Sequence, residues 1–215
     1  MTISALCPGS TIDPRQFWDH RYAAPGFAYG TAPNDLLRQQ AAHLPRGQAL
    51  CLAEGEGRNG VHLAELGHTV ELQDLSAVGL AKARQLAAER GVTVQTHCCD
   101  LRDFLPPPAS VDLIVAIWMH LPPPLRATVL TRAVAALRPG GHLILEAYTP
   151  RQLALGSGGP ANRELLIEPD DLRTELQGLD LLICEERQRW IEEGPFHHGE
   201  SAVVQALGRR PDRPL

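Results

Sequence analysis

Between residues 50 and 60 the chain reads Leu-Cys-Leu-Ala-Glu-Gly-Glu-Gly-Arg-Asn-Gly, and this stretch constrains the fold more than any other. An apolar run ends at Ala53, the glycines Gly55-x-Gly57-x-x-Gly60 follow, and a helical pattern opens behind them. Glycines at this spacing turn the backbone sharply out of a strand and let a ligand come close to it. An acid, Asp74, stands 19 residues beyond Gly55. Read literally, this is the dinucleotide fingerprint of a βαβ unit.

The rest of the chain carries the alternation that such a unit requires. The pattern predicts strands at Gln48–Ala53, Thr69–Gln73, Val92–Cys99, Val111–Ile117 and His142–Tyr148. Helices are predicted at Asn59–Leu66, Ala77–Arg90 and Pro123–Leu137, the second capped by Ser76 and stopped by Gly91. After Tyr148 the order changes. Thr149–Pro169 is rich in Gly and Pro and reads as a long loop, Asp170–Leu176 as a helix. Leu181–Glu192 and Ser201–Gly208 then form a terminal hairpin around Glu193–Glu200, and Arg209–Leu215 reads as a frayed tail. The predicted fold is α/β: a Rossmann-like, seven-stranded, mostly parallel sheet with helices on both faces and a C-terminal antiparallel hairpin strand. Residues 1–45 read as an arm or lid ending in a helical stretch from Pro33 to Leu44, and 46–215 as the domain it covers.

Composition narrows the class. With 44% apolar and 21% charged residues the chain is globular, and 215 residues suffice for a full core. A net charge of -5 speaks against a nucleic-acid partner, since phosphate binding runs on clustered Lys and Arg. No window approaches the roughly 18 to 20 apolar residues of a membrane span, so no membrane role is expected. Met1–Ser10 lacks a basic segment followed by an apolar run, which argues against a secretory signal. Among the five cysteines, Cys7 and Cys99 apart, Cys51, Cys98 and Cys184 fall in strand-like runs and read as buried thiols. No CxxC or Cys/His spacing suggests a metal, and the expected compartment is the reducing cytoplasm.

Charge at the loop bears on the ligand. A pyrophosphate at the helix start would lie beside Glu54 and Glu56, and one like-charge contact at about 5 Å costs on the order of 3 kcal/mol at an effective dielectric near 20. S-adenosylmethionine (SAM) has no phosphate, and its methionyl end carries an ammonium and a sulfonium. Acidic residues then attract the ligand, and Arg58 is free to pair with the methionyl carboxylate or a neighbouring glutamate. An NAD(P)-dependent oxidoreductase and a non-catalytic SAM-binding module are the alternatives.

The chain resembles the class I SAM-dependent methyltransferases over roughly residues 17 to 208. Ala53-x-Gly55-x-Gly57, Asp74, Cys99-Asp100-Leu101 and Leu137-Arg-Pro-Gly-Gly-His-Leu-Ile-Leu145 carry the likeness. Within that superfamily Phe17-Trp18-Asp-x-Arg21-Tyr22, Phe27-x-Tyr29-Gly30-x-x-Pro33-Asn34, Gly55-Glu-Gly-Arg-Asn59 and Trp118-x-His120-Leu-Pro122 are similar to the small tellurite-resistance and thiopurine-methyltransferase-like branch. Two positions depart from the pattern: Cys51 stands where an acid commonly ends the first strand, and Ala53 replaces the first loop glycine.

The resemblance implies a methyltransferase with SAM as cofactor, acting on a small-molecule acceptor, with a soft sulfur, selenium or tellurium nucleophile as one option. It implies ribose contacts from Asp74 with Leu75 beside it, and adenine contacts from Asp100 and the Leu101 backbone. The loop Glu54, Gly55, Glu56, Gly57, Arg58 and Asn59 would hold the methionyl end under a lid of Arg21, Tyr22, Tyr29 and Gly30. Trp18 reads as a packing residue and Trp118 as a cofactor wall. His120 and Glu146 are the candidate acceptor-side bases, with Tyr148 facing the same crevice. His197-His198 at the hairpin tip reads as a solvated turn, and Arg151 and Arg163 belong to an acceptor-side lid.

Overall fold

A computed structural model of the chain describes residues 13–212. The readings made on Met1–Ser10 and Cys7, and on the last three residues, lie outside that range. Strands β1 (Gln48–Leu52), β2 (Thr69–Asp74), β3 (Gln95–Cys98), β4 (Val111–Ile117), β5 (Leu137–Tyr148), β6 (Asp180–Glu192) and β7 (His198–Arg209) form one sheet in the order β3-β2-β1-β4-β5-β7-β6. The first five are mutually parallel, and β7 runs antiparallel to both β5 and β6. The strand order reverses between β1 and β4, with the strands still parallel. Open α/β sheets bind ligands at such a switch point, beyond the C-terminal strand ends.

Alternation along the central strands divides the core in two. Leu50, Leu52, Ile114 and Leu143 point to the face covered by α5 (Pro123–Ala136) and α6 (Pro169–Glu175). Ala49, Cys51, Val115 and Ile144 point to the opposite face, shared with α2 (Asp35–Ala41), α3 (Arg58–Glu65) and α4 (Ala77–Glu89). Leu36, Leu37 and Ala41 of α2 belong to that second core, so the arm is packed into the domain rather than appended to it.

Several boundaries differ from expectation. Helix α1 (Pro14–Tyr22) was not predicted, because its exposed face breaks the apolar period; its signal is the Asp13–Pro14 start, where the Asp13 carboxylate accepts from the Arg15 N–H at 3.2 Å. β5 begins five residues early, at Leu137, and pairs with Val111 before a register shift. The long loop contains two 3₁₀ turns, Pro150–Ala154 and Arg163–Leu165. The frayed tail is corrected as far as it is described: Arg210 exchanges backbone hydrogen bonds with Gly140 and Gly141, and its guanidinium caps carbonyls of Ala135 and Leu137 at the end of α5. Cys51 is buried, but Cys98 is exposed and Cys184 only partly covered, because β3 and β6 are the sheet's two edges.

Candidate functional site

The loop after β1 makes three left-handed residues within five positions: Ala53 at φ 51°, Gly55 at 62° and Gly57 at 87°. Its glycines are steric requirements. A Cβ on Gly57 would lie 2.5 Å from the Ala83 Cβ, and one on Gly60 would lie 2.1 Å from Leu72 Cδ2. Helix α3 therefore presses directly onto α4 and β2. Gly55 faces the arm, where a Cβ would meet the Tyr22 hydroxyl at 2.5 Å.

The two glutamates are spent differently than charge alone implied. Glu54 Oε1 accepts from the backbone N–H groups of Asn59 and Gly60 at 2.9 and 2.8 Å. Its carboxylate thus occupies the N-terminus of α3, where a dinucleotide's pyrophosphate would sit. Burial raises its pKa to about 7, against the lowering effect of those N–H groups and Arg58. Glu56 Oε2 accepts from the Ala28 N–H at 2.7 Å, and Oε1 pairs with Lys82 at 2.9 Å. Lys82, the chain's single lysine, also donates to the carbonyls of Ala24 and Gly26. Arg58 pairs with neither glutamate of the loop. It donates to the Ala32 carbonyl and to Glu193 Oε2, at 3.1 and 2.5 Å.

Asp74 ends β2 with both carboxylate oxygens engaged, Oδ2 by the Gly55 N–H and Oδ1 by the Ser76 N–H, each at 2.8 Å. Burial pushes its pKa up to about 6. The acid thereby locks the glycine loop to the start of α4. Asp100 caps the turn Leu101–Asp103 and holds Arg102 through two side-chain hydrogen bonds, which keep its carboxyl below the usual range.

A cavity of about 520 Å³ opens at the C-terminal ends of these strands. It brings together Tyr22, Tyr29, Gly30, Glu54, Glu56, Arg58, Asn59, Asp74, Leu75, Asp100, Leu101, Trp118 and His120. Gly55 and Gly57 do not line it; they shape the loop that does. Arg21 also stands outside, donating to the Tyr29 hydroxyl at 3.1 Å with its guanidinium 3.9 Å above the Phe196 ring. Four carboxylates and two arginines line the wall, a balance that favours a cationic ligand over a polyanion.

The far end is aromatic and uncharged. Trp118 takes φ 59°, a costly conformation for a bulky residue. Its ring stacks on Tyr148 at 4.4 Å, with His197 edge-on at 4.9 Å. His120 Nδ1 lies 2.9 Å from the Leu165 carbonyl, and its Nε2 is buried without a partner. Burial lowers its pKa to about 4.

Three expectations fail here. Glu146 does not reach the cavity: it is fully buried and accepts from Asn34 Nδ2 at 2.8 Å, from Arg189 and from Gln205. Its side chain alternates away from the strand end, so it cannot meet an acceptor. Tyr148 likewise lies behind Trp118 rather than on the cavity surface. His197 is not a solvated turn residue either, since it is 4% exposed and part of the cavity wall. The hairpin tip folds back over the site. Glu193, at its base, was missed altogether; the available signal was an acid beside Gly194 in a tip that also carries Phe196 and two histidines.

A family model described as a methyltransferase domain matches residues 49–141. The N-terminal Xaa-Pro-Lys N-methyltransferase 1 of Mus musculus is 31% identical over 140 residues, covering 63% of this chain and 61% of that protein. The tRNA 5-carboxymethoxyuridine methyltransferase of Escherichia coli (strain K12) is 31% identical over 139 residues, covering 57% and 52%. The chain thus spans between half and two thirds of these curated relatives. The solved structure reported as "Conversion of a Disulfide Bond into a Thioacetal Group during Echinomycin Biosynthesis" shares the fold, with TM-score 0.75 and 18% identity over 93% of this chain and 92% of that one. Among the described residues, no helix is long and apolar enough to cross a membrane.

These relatives correct one expectation. A small-molecule acceptor with no nucleic-acid partner does not stand beside relatives named for a protein N-terminus and for tRNA. Net charge was the wrong guide, because it governs standing affinity for a polyanion and not the brief docking of one reacting group.

Proposed function

We propose that the chain is a SAM-dependent methyltransferase of class I. The observation that carries this reading is Glu54 at the N-terminus of α3: the donors a pyrophosphate needs are already taken by a carboxylate. The same arrangement argues against the NAD(P)-dependent alternative. The residues present suit SAM. Asp74 and Asp100 supply acidic acceptors for hydroxyl and amino groups, and Glu54 and Glu56 offset the ligand's positive charge. Tyr22, Tyr29 and Gly30 close the arm over the cavity, in keeping with the tellurite-resistance-like arm motif.

SAM supplies a methyl group on a sulfonium that is already a good leaving group. The chain's own residues have to orient, exclude water and receive a proton. Trp118, His197 and Leu165 wall the acceptor end together with His120, whose unprotonated Nε2 is buried. A nitrogen or oxygen nucleophile that still carries its proton would give that imidazole a role, as the neutral base at this end of the cavity, once a turn of the ring brought the buried Nε2 to it. A soft sulfur, selenium or tellurium anion leaves it without one. A protein amino group and an RNA base, the acceptor types named for the relatives, are therefore the first to test.

Incubation with methyl-labelled SAM and separated protein and RNA fractions tests the reading. Label entering either fraction, dependent on the chain, supports methyl transfer. SAM binding with no acceptor labelled in any fraction supports the non-catalytic module instead.

A further inference from the structure

Glu193 sits at the base of the β6–β7 hairpin and is 7% exposed. Its carboxylate joins four separate segments. Oε2 accepts from Arg58 Nη2 at 2.5 Å and from Trp118 Nε1 at 2.6 Å. Oε1 accepts from Asn34 Nδ2 at 2.9 Å and Arg189 Nη2 at 3.2 Å. Arg58 opens α3 beside the glycine loop, and Trp118 forms the aromatic end of the cavity, so one oxygen atom touches both halves. The second carboxylate of the cluster, Glu146, shares Asn34 and Arg189 with it. Arg58 and Arg189 thus face Glu193 and Glu146 inside the cluster, and Arg189 also reaches the half-exposed Asp35 at 3.3 Å.

The indole needs such a restraint. Trp118 has a left-handed backbone, and its ring has Tyr148 on one face and the open cavity beyond. The hydrogen bond to Glu193 sets where the ring lies along the Tyr148 face. Burial opposes ionisation of Glu193, but Arg58, the Trp118 N–H and Arg189 outweigh it and hold the carboxyl below its usual range.

We infer that Glu193 is a positioning residue that couples the cofactor end of the cavity to its acceptor end, transmitting the state of Arg58 to the Trp118 ring. The inference rests on the reading that the glycine-loop end takes SAM. When a methionyl carboxylate draws on the remaining N–H groups of Arg58, the charge facing Glu193 changes, and the shared oxygen shifts its hydrogen bond toward Trp118.

The Trp118 indole N–H resonance reports this directly, in a nitrogen–proton correlation spectrum assigned with Trp118→Phe. The probe is S-adenosylhomocysteine, and the variants are Glu193→Gln and Glu193→Asp. In the free wild-type protein the resonance is expected far downfield, as for a short hydrogen bond to a carboxylate, and upfield of that in Glu193→Gln. The probe is expected to move it in the wild type and not in Glu193→Gln, with affinity reduced roughly 5- to 50-fold in that variant. Glu193→Asp, which keeps the charge, is expected to restore part of the response. An indole resonance identical in free wild type and Glu193→Gln overturns the inference, whatever binds. So does a probe that binds the wild type without moving it. Failure of the probe to bind at all, with the free-state difference present, removes the SAM reading and the coupling with it while leaving the hydrogen bond in place.

Discussion

His120 Nδ1 lies 2.9 Å from the carbonyl oxygen of Leu165, and that contact settles which ring nitrogen carries the proton. A carbonyl only accepts, so the proton is on Nδ1 and the lone pair is on Nε2. Leu165 belongs to the loop between β5 and α6, so the same contact ties that loop to the end of β4.

The tautomer has a pH consequence. Burial holds His120 at about 4, below the ordinary 6.5. The unfolded chain therefore takes up a proton that the folded chain refuses. The associated stability is fully present above pH 6.5 and is lost as pH falls toward 4, on the order of 3 kcal/mol across that window. Urea unfolding of wild type and His120→Gln between pH 7 and pH 4 is expected to show the steeper loss in wild type. Parallel curves contradict the assignment.

Glu54 and Asp74 titrate the other way, at about 7 and about 6 in the free site, because burial favours their neutral forms. A cationic ligand favours the ionised forms, so binding SAM expels protons. Affinity is expected to rise as pH increases from about 5 to 7.5. Calorimetry in two buffers of different ionisation enthalpy measures the released protons directly. Proton uptake in this range is the opposing result.

Replacing Asp74 with Ala removes the acceptor of the Gly55 and Ser76 N–H groups as well as the proposed ribose contact. SAM affinity is expected to fall about 10- to 100-fold, or roughly 1 to 3 kcal/mol. An unchanged dissociation constant rules out the ribose role.

Gly60→Ala places a methyl group 2.1 Å from Leu72 Cδ2. Overpacking at that helix–strand contact is expected to cost about 1 to 3 kcal/mol in chemical denaturation. Gly91→Ala makes the control, since nothing lies within 4 Å of its Cβ and only the left-handed backbone at φ 69° is penalised, by roughly 1 kcal/mol. Equal losses at the two sites contradict the packing account.

The parallel half of the sheet was legible because each element carries a local signal. Ser76 caps α4, Gly91 stops it, and the apolar run Leu113–Ile117 can only be a strand buried on both faces. The glycine-loop end was legible for the same reason, since Gly55, Gly57 and Asp74 stand at fixed short spacing. The acceptor end was not. Trp118 and Glu193 meet across 75 positions, and Arg58 and Glu193 across 135. No local pattern encodes such a pairing, so Glu193 and His197 looked like turn residues. Glu146 erred in the other direction: its place at a strand end was visible, but the alternation that turns it into a buried cluster depends on β7 lying beside β5.

The central claim is that the glycine-loop cavity takes SAM and not a dinucleotide. Isothermal titration of the purified chain with SAM and, separately, with NAD⁺ tests it most directly. Saturable binding of SAM with no measurable heat from NAD⁺ is the predicted result. Binding of NAD⁺ in the micromolar range with none for SAM would contradict it, because Glu54 would then have to leave the N-terminus of α3 to admit a pyrophosphate.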